Sequence, residues 1–221
     1  MTTLNLILWS VGVALQAALL ILLFRRRLAR RMPVFTFIIA FYIVRACLLY
    51  GLFSNMERVA YTHLFNALSV VDLFLQILLA LEIALHTLRE AHSIQPGQSL
   101  RVTAMLAAGA VLAALVALAF PIQGRVPLDR GVIFTTLLLL LLLAWMMFAR
   151  VHGLPRRVAE GFALYGVVAV LAGIARNLAA LHRSQTAFIA ASYAQTGIYV
   201  CIVAFWILTL RPAQTQLTPK G

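Results

Sequence analysis

Cysteine is nearly missing from this chain: Cys47 and Cys201 are the two in 221 residues. Both fall inside apolar runs without metal-ligand spacing, so they build no metal site, say nothing about redox compartment, and read as small packing residues. Lysine is scarcer still, represented by Lys220 in the tail. A retinal protein needs a Schiff-base lysine in its last helix, so retinal chemistry is excluded. Acidic residues number six, and among them only Asp72 lies far from the end of an apolar run. Proline is kept out of every such run: Pro33, Pro96, Pro121, Pro127, Pro155, Pro212 and Pro219 all fall in connectors or the tail. The helices are therefore expected to be continuous, without the broken segments through which many transporters hold cargo at the midplane. Long polar connectors are also lacking. The longest runs from about Arg89 to Arg101, which leaves residues 1–221 as a single domain with no soluble domain attached.

What fills the chain instead is hydrocarbon. Its residues are 63% apolar and its mean hydropathy is +0.98, beyond what a soluble core of this size needs. Seven runs are each long enough to cross a bilayer: Leu4 to Phe24, Val34 to Phe53, Val59 to Leu88, Val102 to Phe120, Gly131 to Ala149, Val158 to Leu181 and Ala187 to Leu210. A core about 30 Å thick needs roughly 20 residues of helix, and lipid leaves closed helices as the spanning form for such continuous runs. The expected fold class is all-α, a polytopic membrane protein with seven transmembrane helices.

Basic residues are unevenly placed. One side of the membrane receives Arg25, Arg26, Arg27, Arg30, Arg31, Arg89, Arg101, Arg150, Arg156, Arg157, Arg211 and Lys220, and the other receives Arg58, Arg125, Arg130 and Arg183. The positive-inside rule makes the richer side cytoplasmic, with the N-terminus outside and the C-terminus inside. No basic residue precedes the first apolar run, so it reads as a span and not a cleavable signal peptide. The formal charge of +12 is thus topogenic, with some attraction to anionic headgroups at Arg25 to Arg31. Nucleic acid is not expected as a partner.

Polar residues inside the spans carry the functional signal. Arg45 in span two and Arg176 in span six each cost about 2.5 to 3.5 kcal/mol at a helix centre, so such cations turn to protein or water and seek partners. Asp72 is the natural partner for one of them. Ser69, Asp72 and Gln76 are spaced i, i+3, i+7 on one face of span three, with Thr62 a heptad earlier. Ser192, Gln195, Thr196 and Tyr199 form a similar stripe on span seven, and Asn5, Trp9, Gly12 and Gln16 one on span one. Tyr42 sits one turn from Arg45, Tyr165 shares a face with Arg176, and Asn177 adjoins it. Spans four and five carry almost nothing polar and are expected to face lipid. Glu82, His86 and Arg89 read as an ion arrangement at a helix end, with a proton relay as the alternative.

Metals and cofactors are not expected. His63 and His182 lie at one set of helix ends, and His86, His92 and His152 at or beyond the other. His63 and His86 stand about 34 Å apart along a helix, so they are no axial haem pair. Ceramidase-like hydrolases join a Ser and an Asp to zinc-binding histidines; Ser69 and Asp72 resemble part of that set, but no His-x-x-x-His pair accompanies them.

The run Leu8, Trp9, Gly12, Val13, Leu15, Gln16, Arg25, Arg26, Pro33, Phe35, Phe41, Tyr42 and Arg45 resembles the start of small uncharacterised multi-pass (seven-helix) membrane proteins of bacteria. The resemblance covers about the first 50 residues and implies a bacterial inner-membrane setting, with no chemistry attached. The reading is a non-enzymatic bundle, a sensor or carrier. It binds a polar or anionic small molecule in an outward-facing cavity through Arg45, Asp72, Arg176, Tyr42, Ser69, Gln76, Asn177, Gln195 and Tyr199. The alternative is a non-catalytic subunit or scaffold that docks to a membrane protein or a second copy, for which Gly166, Ala169 and Gly173 on span six permit close approach. An intramembrane enzyme or haem protein ranks below both.

Overall fold

Lipid offers no hydrogen bonds, so each apolar run must satisfy its own backbone by closing into a helix. The computed structural model describes residues 3–52, 57–94, 107–115, 130–148 and 153–210. Its α-helices are α1 (Thr3–Arg25), α2 (Pro33–Leu52), α3 (Arg58–Ile94), α4 (107–115), α5 (Arg130–Phe148), α6 (Leu154–Leu181) and α7 (Gln185–Thr209), with a short 3-10 turn at Leu28–Arg30. The chain is all-α, and six of these helices, all but α4, are long and apolar enough to cross a membrane. Of the expected fourth span, Val102 to Phe120, residues 107–115 are helical and the remainder lies outside the described residues. So do Arg101, Arg125, Arg150, His152, Arg211 and Lys220, and the side chains of Asn5, Arg89 and His92.

The six long helices close into a ring. Helix α1 packs on α2 and α7, α2 on α3, α3 on α5, α5 on α6, and α6 on α7, with a further α3–α6 contact. All six contribute to one apolar core, which includes Leu23, Phe35, Ile83, Met146, Phe162 and Trp206. These positions lie toward the end of the bundle that carries Arg25 to Arg31, Arg156 and Arg157, called here the basic end. Phe35 meets Phe162 and Trp206 edge to face, at centroid distances of 6.1 and 5.2 Å.

Helix α6 is the most buried member of the ring, with half of its most apolar window buried against 11% for α7. Its small residues make that possible. A Cβ at Gly161 would run into the Trp206 indole and one at Gly166 into Thr136, so α7 and α5 approach it as only glycine permits. The Gly166, Ala169, Gly173 face is buried within the bundle. Helix α5 differs from expectation, because Thr135, Leu139, Leu142 and Met146, at i, i+4, i+7, i+11, are buried and pack inward. Leucines cover both sides of this run, so hydropathy does not reveal which one faces protein. The described part of α4 does turn apolar side chains outward, with Val111, Leu112 and Leu115 exposed. Cys47 and Cys201 are also exposed rather than packed inside.

Helix ends are closed by specific side chains. Both carboxylate oxygens of Glu82 on α3 accept backbone amides at the start of α2, Val34 N and Phe35 N, each at 3.1 Å. Pro33 at the first position of α2 has no amide to satisfy. Glu82 is therefore a tertiary cap, a role that its spacing to His86 and Arg89 does not suggest; the Arg89 side chain of the expected ion arrangement lies outside the described residues. His86 Nδ1 contacts the Glu82 carbonyl at 2.9 Å. Helix α6 stops in a Schellman arrangement, in which Ser184 N donates to Ala179 O at 2.8 Å and Arg183 N to Ala180 O at 3.3 Å. Arg183 takes the left-handed position there with φ 54°. Ser184 then caps α7 by accepting from Ala187 N.

Candidate functional site: a polar belt across the bundle

Two hydrogen-bonded groups cross the half of the bundle away from the basic end. The first joins α2, α3 and α5. Arg45 pairs with Asp72 at 2.8 Å, and the two side chains are 19% and 18% exposed, so little water screens them. A second guanidinium nitrogen of Arg45 donates to Ser69 Oγ at 3.2 Å, and Ser69 donates onward to Phe65 O. The Arg45 Cζ also lies 5.5 Å from the Phe65 ring centroid. On its other side Asp72 accepts from Gln76 Nε2 at 3.2 Å. Gln76 Oε1 lies 2.9 Å from the Thr135 hydroxyl, which is also 3.0 Å from Gly131 O; one proton serves one of them at a time. The i, i+3, i+7 face of α3 thus acts as a single strip.

The second group joins α6 and α7, with a separate bond from α1 to α7 beside it. Arg176 donates to Gln195 Oε1 at 2.6 Å, and Gln195 Nε2 donates to Tyr165 Oη at 3.4 Å. Among the described residues no carboxylate lies within ion-pair distance of Arg176. Gln16, buried on α1, donates to Tyr199 Oη at 2.6 Å. Its own side-chain oxygen is buried without a partner among the described residues.

Three tyrosines stand between the groups. The Tyr199 ring packs on Tyr165 at 5.4 Å and on Tyr42 at 6.1 Å between centroids, both edge to face. Asn177 is buried on α6 and makes an interaction of its own. Ser192 and Thr196 turn back onto carbonyls of α7, and Thr62 is exposed.

Arg45, Ser69, Asp72 and Gln76 thus come together in one group, Arg176 and Gln195 in the other, and Tyr42 and Tyr199 between them. Sequence reasoning left Thr135 in a run read as lipid-facing and did not place Gln16 and Tyr165 among the site residues. Their stripe positions on spans one and six were the available signal; for Thr135 it was only its pairing with Thr136 at the head of a leucine run.

A cavity of about 1080 Å³ lies at the basic end, where α2 and α6 begin beside α3. None of the nine expected site residues lines it, so this space is at the opposite end of the bundle from the polar belt. Among the described residues no cluster of three or more His, Cys, Asp or Glu is arranged to hold a metal. No protein-family model, curated protein or solved structure matches the chain.

Proposed function

We propose that the chain is a seven-span protein of the bacterial inner membrane, N-terminus outside and C-terminus inside, that binds a small anionic molecule in its polar belt without catalysing its conversion. It serves as a sensor or carrier. The observation behind this reading is the inequality of the two intramembrane arginines. Arg45 is satisfied by Asp72 and Ser69, whereas Arg176 meets the neutral Gln195. Among the described residues Arg176 has no counter-charge, and a cation so placed in a span is costly unless something anionic visits it. Arg176 with Gln195, Tyr165 and Asn177 is the proposed anion site, and Asp72 with Arg45 the fixed frame that holds α2 to α3. The scaffold alternative loses its main support, since the small face of α6 is occupied within the bundle.

The test is thermal unfolding of the purified protein in neutral detergent with succinate, glutamate or inorganic phosphate as probes. Wild type and Arg45→Lys should each be stabilised by at least one probe, and Arg176→Gln by none. Equal stabilisation of wild type and Arg176→Gln by every probe, or of neither by any, would overturn the assignment.

A further inference from the structure

The cavity at the basic end carries an inference independent of the polar belt. We propose that it seats the headgroup of an anionic phospholipid, with the phosphodiester among arginines and an acyl chain lying along α3. Arg30, Arg31, Arg156 and Arg157 line it, against the acids Glu82 and Glu160. Those acids are already engaged. Glu82 spends both oxygens on Val34 N and Phe35 N. Glu160 holds Arg156 at 2.8 Å and Arg157 at 3.6 Å. Arg30 and Arg31 therefore face the cavity with no carboxylate within ion-pair distance among the described residues. Planar guanidinium forks are suited to two oxygens of one phosphate.

Helix α6 adds to this field. Its first residues, Leu154 to Arg157, line the cavity, and its N-cap Gly153 supplies no side-chain hydrogen bond, so among the described residues no side-chain cap competes with an anion for the positive end of the helix.

Position and shape favour a lipid over a soluble phosphate. The cavity lies at the ends of the spans, beside Pro33, Leu154 and Leu210, which is the level of headgroups. One wall continues into hydrocarbon: Leu78, Leu81 and Leu85 are spaced i, i+3, i+7 on α3 and line the cavity, while Leu81 is 54% and Leu85 46% exposed on the outer surface. A free anion gains nothing from that wall, and an acyl chain does. The volume of about 1080 Å³ also exceeds what a lone phosphate fills, being at the upper end of ordinary ligand pockets.

Native mass spectrometry of the full chain from neutral detergent, with phosphatidylglycerol and phosphatidylcholine added in equal amounts, tests this. Wild type should retain phosphatidylglycerol in preference, and the Arg30→Gln/Arg31→Gln variant should lose that preference by about thirtyfold for two basic side chains. Arg183→Gln, at the other end of the bundle, should behave as wild type. A second measurement on wild type alone keeps the proposal open to refutation if the double variant does not fold: inorganic phosphate should displace the lipid only weakly. Equal retention of the two lipids, full retention in a folded double variant, or complete displacement by inorganic phosphate, which would identify a soluble-anion site, would each overturn it.

Discussion

Glu82 and Phe35, 47 positions apart, are joined by a hydrogen bond of 3.1 Å from the Phe35 amide to a Glu82 carboxylate oxygen. Because the other oxygen takes the Val34 amide, one side chain of α3 closes the start of α2. Glu82→Ala should lower stability by about 1 to 3 kcal/mol, the cost of stranding those amides, and Glu82→Gln should cost less, since its amide keeps one acceptor. Thermal unfolding in detergent reads the difference; equal losses from both variants would show that the second oxygen contributes nothing.

Arg45 and Asp72 should behave as a coupled pair. Neutralising either one leaves the other as an uncompensated charge in a span, a loss of about 3 kcal/mol. Arg45→Leu/Asp72→Leu together should recover much of it, so the double-mutant cycle should give a coupling well above the error of about 0.5 kcal/mol. Strictly additive losses would mean that the two groups act separately.

Gly161 and Trp206 set how closely α6 and α7 approach, because a Cβ on Gly161 would overlap the indole. Gly161→Ala should destabilise by about 1 to 3 kcal/mol through overpacking and shift the tryptophan emission. In a Trp206→Phe background the same substitution should cost less, although that background itself gives up the bond from Trp206 Nε1 to Arg157 O at 3.1 Å. An undiminished cost there would place the strain elsewhere.

Arg183 occupies a left-handed conformation, φ 54°, at the turn between α6 and α7. Its side chain is exposed, so Arg183→Gly removes backbone strain while losing little else. The variant should be more stable by up to about 1 kcal/mol, measured by its unfolding midpoint. A lower midpoint would mean that the arginine side chain contributes more than the turn costs it.

These relationships were legible in the sequence to different depths, and the reason is the solvent. In lipid, apolar length marks a span whatever its rotation, so α1, α2, α3, α5, α6 and α7 were all visible, whereas the face each turns inward was visible only where polar or small residues broke the monotony. Ser69, Asp72 and Gln76 did so on α3, and their shared face and the proximity of Asp72 to Arg45 followed. The leucine-rich run of α5 offered no such break beyond Thr135 and Thr136, and its inward packing was missed. The capping role of Glu82 was not legible because its partners are backbone amides of another helix, which leave no mark in residue spacing. Cys47 and Cys201 were misplaced because a small apolar residue suits lipid as well as it suits a core.

Under the proposed function Arg176 serves a ligand and not the fold. The most direct measurement is the unfolding midpoint of the ligand-free protein with Arg176→Gln compared with Arg45→Gln. Arg176→Gln should leave the midpoint nearly unchanged or raise it, because a cation with no counter-charge among the described residues contributes little stability, while Arg45→Gln should lower it. A loss for Arg176→Gln as large as that for Arg45→Gln would make both arginines interhelical structure and contradict the assignment.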